Sequence, residues 1–499
     1  MPAPPPISDH RVHLGPRTRP VPGEFVLYWI QTAMRARENP ALNFAAEQAN
    51  SLRLPLVVYQ GLRPDYPWAS DRFHTFILES AADLVADFAA RGIPYGFHLE
   101  RRRRTPGEPA PPSPLEAMAR RAALVVTDYF PTFIVPRQTR RLRERIEAPV
   151  VAVDSCTIVP MAQISRQHPT ARGFRTEVAA ALPHFLHMAG DVEPDVRRAV
   201  EFPFERTHPA TGAMAPAALA AACDVDHAVG PAPVIRGGPR AARARLVAFL
   251  ETALARYAED RGDPNRPEAV SGLSPYLHFG NISPQEVLLR VRGVAPPEQY
   301  ARFEDELLVW RELAHNFCHH DPRHRTVSAV PDWARRELND HSADPRPARY
   351  SLAELEQGMT SSPLWNAAQR SYVRDGTMHN YLRMLWGKAI LHWSADADEA
   401  LRTMEHLNNK YSLDGRDPNS YAGFHWILGK FDRPFYRRPV FGTVRYMSLT
   451  AAEKKFDAKS WLAGEAARDA PGGISPAAGT PRAAGRAPGK GSRARSPRR

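Results

Sequence analysis

Cysteine is nearly missing from this sequence: Cys156, Cys223 and Cys318 are the only three in 499 residues, and they lie far apart. That excludes a disulfide framework and fits a reducing compartment. No run of about 18 apolar residues occurs, so no membrane span is expected. The opening MPAPPPISDHRVH lacks the charged-then-apolar layout of a secretory signal. No GxGxxG follows the first strand-like run, where the turn reads QTAMRARENP instead. The tail segment GRAPGKGS is one residue short of a phosphate loop, with Gly491 where Ser or Thr should follow Lys490. GxSxG is absent as well. The expectation is a soluble, cytoplasmic, monomeric protein without P-loop or serine-nucleophile chemistry.

What is present is a globular composition, 43% hydrophobic and 24% charged, long enough for two domains. The net charge is +12, which suggests a polyanionic partner, nucleic acid first. From Gly464 onward, however, eight Arg/Lys face only Glu465 and Asp469, so the tail supplies half of that charge. The body is only moderately basic.

Residues 1–22 are proline-rich and read as disordered. FVLYWI (25–30) and LPLVVYQ (54–60) are continuous apolar strands flanking a helix from Pro40 to Leu52, the pattern of a parallel α/β unit. Further strands are expected at 93–99, 123–127 and 149–153, with helices at 73–91 and 137–147. Residues 23–165 are therefore assigned a doubly wound, Rossmann-like α/β domain, and 166–238 a connector. Helical periodicity dominates from 239, with helices at 239–260, 283–292, 301–318, 351–357, 363–374, 377–393 and 397–407. This gives an all-helical domain over 239–462 and a disordered basic tail over 463–499.

The helix 377–394, TMHNYLRMLWGKAILHWS, carries an apolar stripe at steps of three and four. Trp386 and Trp393 sit seven apart on it, about 10.5 Å along the axis. Asn380, Arg383 and Lys388 interrupt the same helix. HNFCHHDPRHR (315–325) offers Cys318, His319, His320 and His324, but no complementary pair occurs elsewhere, and no metal is expected. SGLSPYLHFGNIS (271–283), FEDELLVWRELAHNF (303–317) and NNKYSLDGRDPNSYAGFHWILG (408–429) mix aromatics with Asn, Arg, Asp and Glu. LDGRDPN is a turn suited to presenting amides and carboxylates to a polar ligand.

These segments, with LWNAAQ (364–369) and RPVFGTVRYM (438–447), resemble the class II cyclobutane pyrimidine dimer photolyases of the photolyase–cryptochrome family. The likeness runs from VLYWIQ (26–31) to RPVFGTVRYM. It implies a helical domain that holds FAD and an α/β domain that can carry an antenna chromophore of deazaflavin or folate type. It also implies light-driven repair of UV-damaged DNA by electron transfer to a flipped-out dimer.

Carried over residue by residue, Arg383 and Asp414 match the pair along the isoalloxazine, and Asn408 the asparagine near flavin N5. Ser274, Leu277, Asn316, Asn380 and Asp417 fall in segments lining the cofactor. Glu306 matches the acid that hydrogen-bonds the damaged base. Trp310 and Trp426 match the aromatics that clamp the dimer, with Met384 in the same pocket. Arg433 and Arg445 match DNA contacts, and Trp386, Trp365 and Trp393, in that order outward, the wire that photoreduces the flavin.

Three positions depart from the family pattern: Asn409 stands for an aspartate, 425–435 replaces a glycine-rich run and lacks a following tryptophan, and the first βα turn lacks an RDQR-like run. The alternatives are a cryptochrome-type photoreceptor and a (6-4) photolyase, for which His315 and His425 are the candidate acids.

Overall fold

The computed structural model describes residues 9–103, 113–210 and 214–470. A six-stranded sheet forms the N-terminal part, from β1 (Val12–His13), β2 (Phe25–Ile30), β3 (Leu56–Leu62), β4 (Tyr95–Leu99), β5 (Ala122–Asp128) and β6 (Val150–Val153). Its order is β1-β6-β5-β2-β3-β4, parallel throughout except for the β1–β6 pair. The helices α1 (Pro40–Leu52), α2 (Asp71–Ala90), α3 (Pro114–Arg121) and α4 (Val135–Arg145) make the crossovers.

Successive strand residues point to opposite faces. Val26, Tyr28 and Ile30 join the core that contains Leu42 and Phe73, whereas Phe25, Leu27 and Trp29 pack with Met118 and Leu142. Burial on both faces explains why these strands read as unbroken apolar runs.

The N-terminus corrects the expectation of disorder over 1–22. Residues 9–13 form a turn and β1, because Arg11 is buried and donates to the carbonyls of Asp154, Thr157 and Ile158. Residues 1–8 lie outside the described residues, as do 471–499 with the GRAPGKGS segment.

The order reverses between β5 and β2, the switch point where open α/β sheets bind ligands beyond their strand ends. Here that crevice is occupied from within. Asp128, buried at the end of β5, accepts from Tyr28 Oη (2.7 Å) and from the N–H groups of Gln31, Thr32 and Ala33. Arg416 of the helical domain reaches the loop after β5: its carbonyl accepts from Thr132, and its guanidinium lies 3.6 Å from the Phe73 ring centroid.

The connector contains α5 (Ala171–Phe185) and α6 (Pro216–Ala221). The helical domain follows as α7 (Pro239–Thr252), α8 (Tyr257–Asp260), α9 (Ser274–His278), α10 (Pro284–Val294) and α11 (Pro297–Glu304). A π-helical segment, Asp305–Trp310, leads into α12 (Arg311–His320). Then come α13 (Asp332–Asp340), α14 (Leu352–Gln357), α15 (Pro363–Asp375), α16 (Asn380–Trp393), α17 (Ala397–Tyr411), α18 (Pro418–Ile427), α19 (Leu449–Ala452) and α20 (Ala458–Asp469).

The helix expected over 301–318 is thus broken by a wide turn. The tail expected from 463 begins as the second half of α20, which docks through Glu465 and Asp469 onto Arg374 of α15. Two arginines join the domains: Arg35 donates to Gly280 O (3.0 Å), and Arg72 to Tyr411 O (2.7 Å) and Val373 O (2.6 Å). Gly280 has φ +63°, and a Cβ there would lie 2.3 Å from Thr32 O, so this contact requires glycine.

Candidate functional site

Three groups of side chains are carried by α15, α16, α17 and α18 and by the π segment that meets α18. The first is aromatic. Trp365 and Trp386 stack in parallel with ring centroids 6.4 Å apart and planes 3° apart, and Trp365 meets Trp393 edge-on at 5.4 Å. Trp365 Nε1 donates to Trp386 O (3.1 Å), and Trp386 Nε1 to Gln369 Oε1 (2.8 Å), so both buried indoles are oriented by hydrogen bonds.

Trp365 and Trp386 are each 1% exposed, while Trp393 lies nearer the surface. Two tyrosines extend this row. Tyr372 meets Trp386 edge-on at 6.1 Å, and Tyr350 meets Trp393 at 5.0 Å. Tyr372 was detectable in sequence, since it lies seven residues after Trp365 on α15. Tyr350 precedes α14 and left no such trace.

The second group is polar and ranges from half-buried to buried. Arg383 on α16 pairs with Asp414 at 3.1 Å, and Ser412 Oγ also donates to that carboxylate. Burial pushes the Asp414 carboxyl up, but Arg383 and hydrogen bonds from Ser412 and Ser274 hold it below the usual range. Asn408 is fully engaged: its Oδ1 accepts from Tyr372 Oη (2.5 Å), and its Nδ2 donates to Asn409 Oδ1 and Ser420 Oγ.

Asn409 also accepts from the Arg416 N–H at 2.7 Å. An asparagine therefore serves at this position as an acceptor in place of a carboxylate, and its own Nδ2 is buried without a partner in the protein. Arg383 Nε, Arg416 Nη2, Arg311 Nη2 and His315 Nε2 are likewise buried and unpaired. Orphaned buried donors point to an absent acceptor-rich partner.

Asp417 takes His278 Nδ1 at 3.0 Å and caps α18 through Asn419 N, and despite burial its pKa is depressed, chiefly by His278. Leu277 is buried in the core. Asn316 holds the chain at 166–168, accepting from His168 N and donating to Arg166 O. Ser274 and Asn380 are exposed, and Met384 is half-buried.

The third group faces outward. Trp310 closes the π segment and Trp426 lies on α18; their rings stack at 4.7 Å and 10°. Trp310 Nε1 donates to Asp305 (3.1 Å), while Trp426 Nε1 is buried and unpaired. A planar base sandwiched between two rings needs a gap of roughly 7 Å, twice a van der Waals contact. The slot is therefore closed here.

Glu306 is half-buried, and its Oε1 takes Arg302 (2.6 Å) and Arg261 (2.8 Å). Burial raises its pKa more than the two arginines lower it. The π turn brings Glu306 and Trp310, four residues apart, to this surface, and such turns recur at functional sites. Arg433 and Arg445 are exposed, Arg445 lying 5.7 Å from the Phe435 ring centroid, and the neighbouring Tyr436 is 93% exposed.

His425, next to Trp426 in the chain, and His315 are both buried rather than presented at this surface. His425 is fully buried with Nε2 on His324 O (2.8 Å), and burial pushes it down to about 3. His315 packs against Phe130 in the interior, with a similarly depressed pKa. Among the described residues no group of three or more His, Cys, Asp or Glu could hold a metal, and His319 instead meets Tyr129 Oη at 2.6 Å. No helix among them is long and apolar enough to cross a membrane.

The sequence profile of the DNA photolyase family matches residues 26–195. A deoxyribodipyrimidine photo-lyase of Methanothermobacter thermautotrophicus is 36% identical over 446 residues, covering 87% of this chain and 93% of the relative. One from Oryza sativa is also 36% identical, over 88% of this chain and 87% of the relative. Among solved structures, a cryptochrome of Synechocystis superposes with TM-score 0.64 at 16% identity, covering 88% of each chain. A class III photolyase from Agrobacterium tumefaciens superposes with TM-score 0.60 at 20% identity, over 90% and 87% of the two chains. Domain order, sheet and helical bundle agree with those folds, and the long relatives at 36% identity decide the lineage: this chain belongs to the DNA photolyase family.

Proposed function

We propose that this protein is a class II photolyase that repairs cyclobutane pyrimidine dimers in DNA under light. The observation that carries the reading is the convergence on α16. Within four residues it bears Arg383, paired to Asp414, and Trp386, the inner end of a buried tryptophan row. The buried unpaired donors Arg383 Nε and Asn409 Nδ2 fit the acceptor-rich edge of a flavin, and the Arg383–Asp414 pair and Asn408 would lie along it. Bound there in reduced form, FAD would supply the light-driven electron-donor chemistry that opens a cyclobutane ring.

This chain's residues do the rest. Asp417 and His278 fix the start of α18, and Asn408 is held in one amide orientation by Tyr372. The three tryptophans offer a path for reducing equivalents from the surface, with neighbouring centroids 5.4 and 6.4 Å apart. Trp310 and Trp426 must part to admit a base, and the apolar faces they then present would grip a flipped dimer. Glu306 would meet the base edge with a preorganised carboxyl group. Arg433, Arg445 and Tyr436 form a basic, aromatic face for the surrounding strand.

The deep burial of His425 and His315 argues against a (6-4) activity, which would need one of them at the lesion. The test uses purified holoenzyme reduced under nitrogen and an oligonucleotide with one thymine cyclobutane dimer. Restored thymine absorbance under blue light, and none in the dark, is the expected result. A photoreducible flavin with no restoration would overturn repair in favour of a light sensor.

A further inference from the structure

The carbonyls at the end of α18 can be accounted for one by one. Phe424 O accepts from Leu428 N, His425 O from Lys430 N, and Trp426 O from Gly429 N. Ile427 O, next to the lesion-facing Trp426, is met by a side chain from another helix: Lys388 Nζ of α16 donates to it at 2.7 Å. Lys388 is 1% exposed, so a side chain that ordinarily seeks water has been buried to make this one bond.

The approach is enabled by its neighbour. A Cβ on Gly387 would lie 2.1 Å from Ile427 Cδ1 and 3.1 Å from Met404 Sδ, so α16 and α18 touch here because residue 387 has no side chain. A second buried lysine secures the far side of the turn. Lys430 Nζ donates to Ala329 O (3.0 Å) and lies 4.2 Å from the Phe317 ring centroid.

We propose that Lys388 is a positioning residue for dimer binding, tying the turn that carries Trp426 to the helix that carries Arg383 and Trp386. The inference rests on reading Trp310 and Trp426 as the dimer pocket. The ammonium faces Asp432 and Arg445 from the segment after α18 and the Phe441 ring from beyond it. Burial lowers it to about 7, and the nitrogen can donate to Ile427 O whether or not it carries the third proton. With the bond gone, Ile427 O has no donor and the turn is free to slide on α16. Trp426 then loses its set height against Trp310, while Trp386, two residues back and about 200° round an otherwise unchanged helix, keeps its partners.

The experiment is a double-mutant cycle on the holoenzyme with Lys388→Met, Trp426→Ala and both, measuring affinity for a dimer-bearing and an undamaged oligonucleotide. Lys388→Met is expected to weaken dimer binding roughly ten-fold, the scale of one charged hydrogen bond. Undamaged-DNA binding and flavin photoreduction should stay within about two-fold of wild type, because Lys388 and Trp386 share no hydrogen-bond partner. In the Trp426→Ala background the same substitution should have no further effect on dimer affinity. Additive losses, or equal losses for both oligonucleotides, would overturn the positioning role. If Trp426→Ala alone leaves dimer affinity unchanged, the pocket assignment fails instead. Should Lys388→Met not fold, Lys388→Gln, which keeps an N–H donor, is expected to retain most of the dimer preference, and its complete loss there would also refute the inference.

Discussion

Replacing Glu306 by alanine separates a lesion-binding role from a structural one. The carboxylate is 25% exposed and takes Arg302 and Arg261 on one oxygen, with those side chains 43% and 20% exposed. Pairs this wet contribute about 0.2–1 kcal/mol each. Neither arginine is stranded by the change, because Arg302 keeps Asp305 at 3.4 Å and Arg261 keeps the Tyr257 ring at 5.5 Å. The expected loss of stability is therefore about 1 kcal/mol, a fall in Tm of about 2–4 °C for a domain of this size.

Glu306 touches none of the buried set around Arg383 and Asp414, so flavin content should be unchanged. The chemistry should suffer far more. Removing one preorganised partner of a group that gains negative charge costs about 100-fold or more in rate. The assay is repair of a single-dimer oligonucleotide at saturating light, with the flavin-to-protein ratio read from the same sample. Glu306→Gln, which keeps a hydrogen-bonding end, should fall between the two. Loss of flavin in the alanine variant, or repair within a factor of about two of wild type, a change too small for such a partner, would refute the assignment.

Trp386→Phe should abolish photoreduction of the oxidised flavin yet leave repair intact in chemically reduced enzyme, since it breaks the row at its inner end; transient absorption checks this. Arg433→Ala and Arg445→Ala should each lower the slope of log affinity against log salt by about one, without changing the preference for damaged over undamaged DNA. Thermal stability should fall on acidification below neutrality. His425 and His315, ordinarily near 6.5, are pushed by burial to about 3, so they stay neutral in the fold and take protons only when it opens. Each therefore withdraws about 2 kcal/mol between roughly pH 6.5 and 5, and His425→Gln should flatten that part of the Tm profile.

The strands of the α/β domain were legible because burial on both faces leaves continuous apolar runs, and five of the six appear within two residues of their expected places. β1 was not, since two residues held by the buried Arg11 carry no periodicity. The π turn at 305–310 was invisible for a related reason: one wide turn does not disturb a helical stripe, yet it presents Glu306 and Trp310. The tryptophan row and the Arg383–Asp414 pair were named through the family resemblance that the surrounding motifs carry; Trp365 lies on a different helix from Trp386, and Asp414 lies outside the helix that bears Arg383, so no local spacing pairs them. Asn316 shows the limit of that reasoning, as its amide is spent on the backbone at 166–168, 150 residues away in sequence. Lys388 was visible only as an anomaly on a greasy helix, and its partner, a single carbonyl on α18, has no sequence signature at all.

Helix geometry explains how α16 can serve two purposes without mixing them. Residues three or four apart share a face, whereas adjacent ones diverge by about 100°. Arg383 and Trp386 are three apart, and both meet the Tyr372 ring, at 5.5 and 6.1 Å. Met384 and Lys388 are four apart and belong to the other face, where Lys388 reaches α18. Gly387 lies at the seam between the two helices, so Gly387→Ala probes the division directly. Its new methyl group can be accommodated only if Ile427 Cδ1 rotates away, an overpacking strain of about 1–2 kcal/mol measurable by denaturant unfolding. Because the displaced residue follows Trp426, dimer affinity should fall while photoreduction through Trp386 persists. Impaired photoreduction with intact dimer binding would mean that the two faces are assigned the wrong way round.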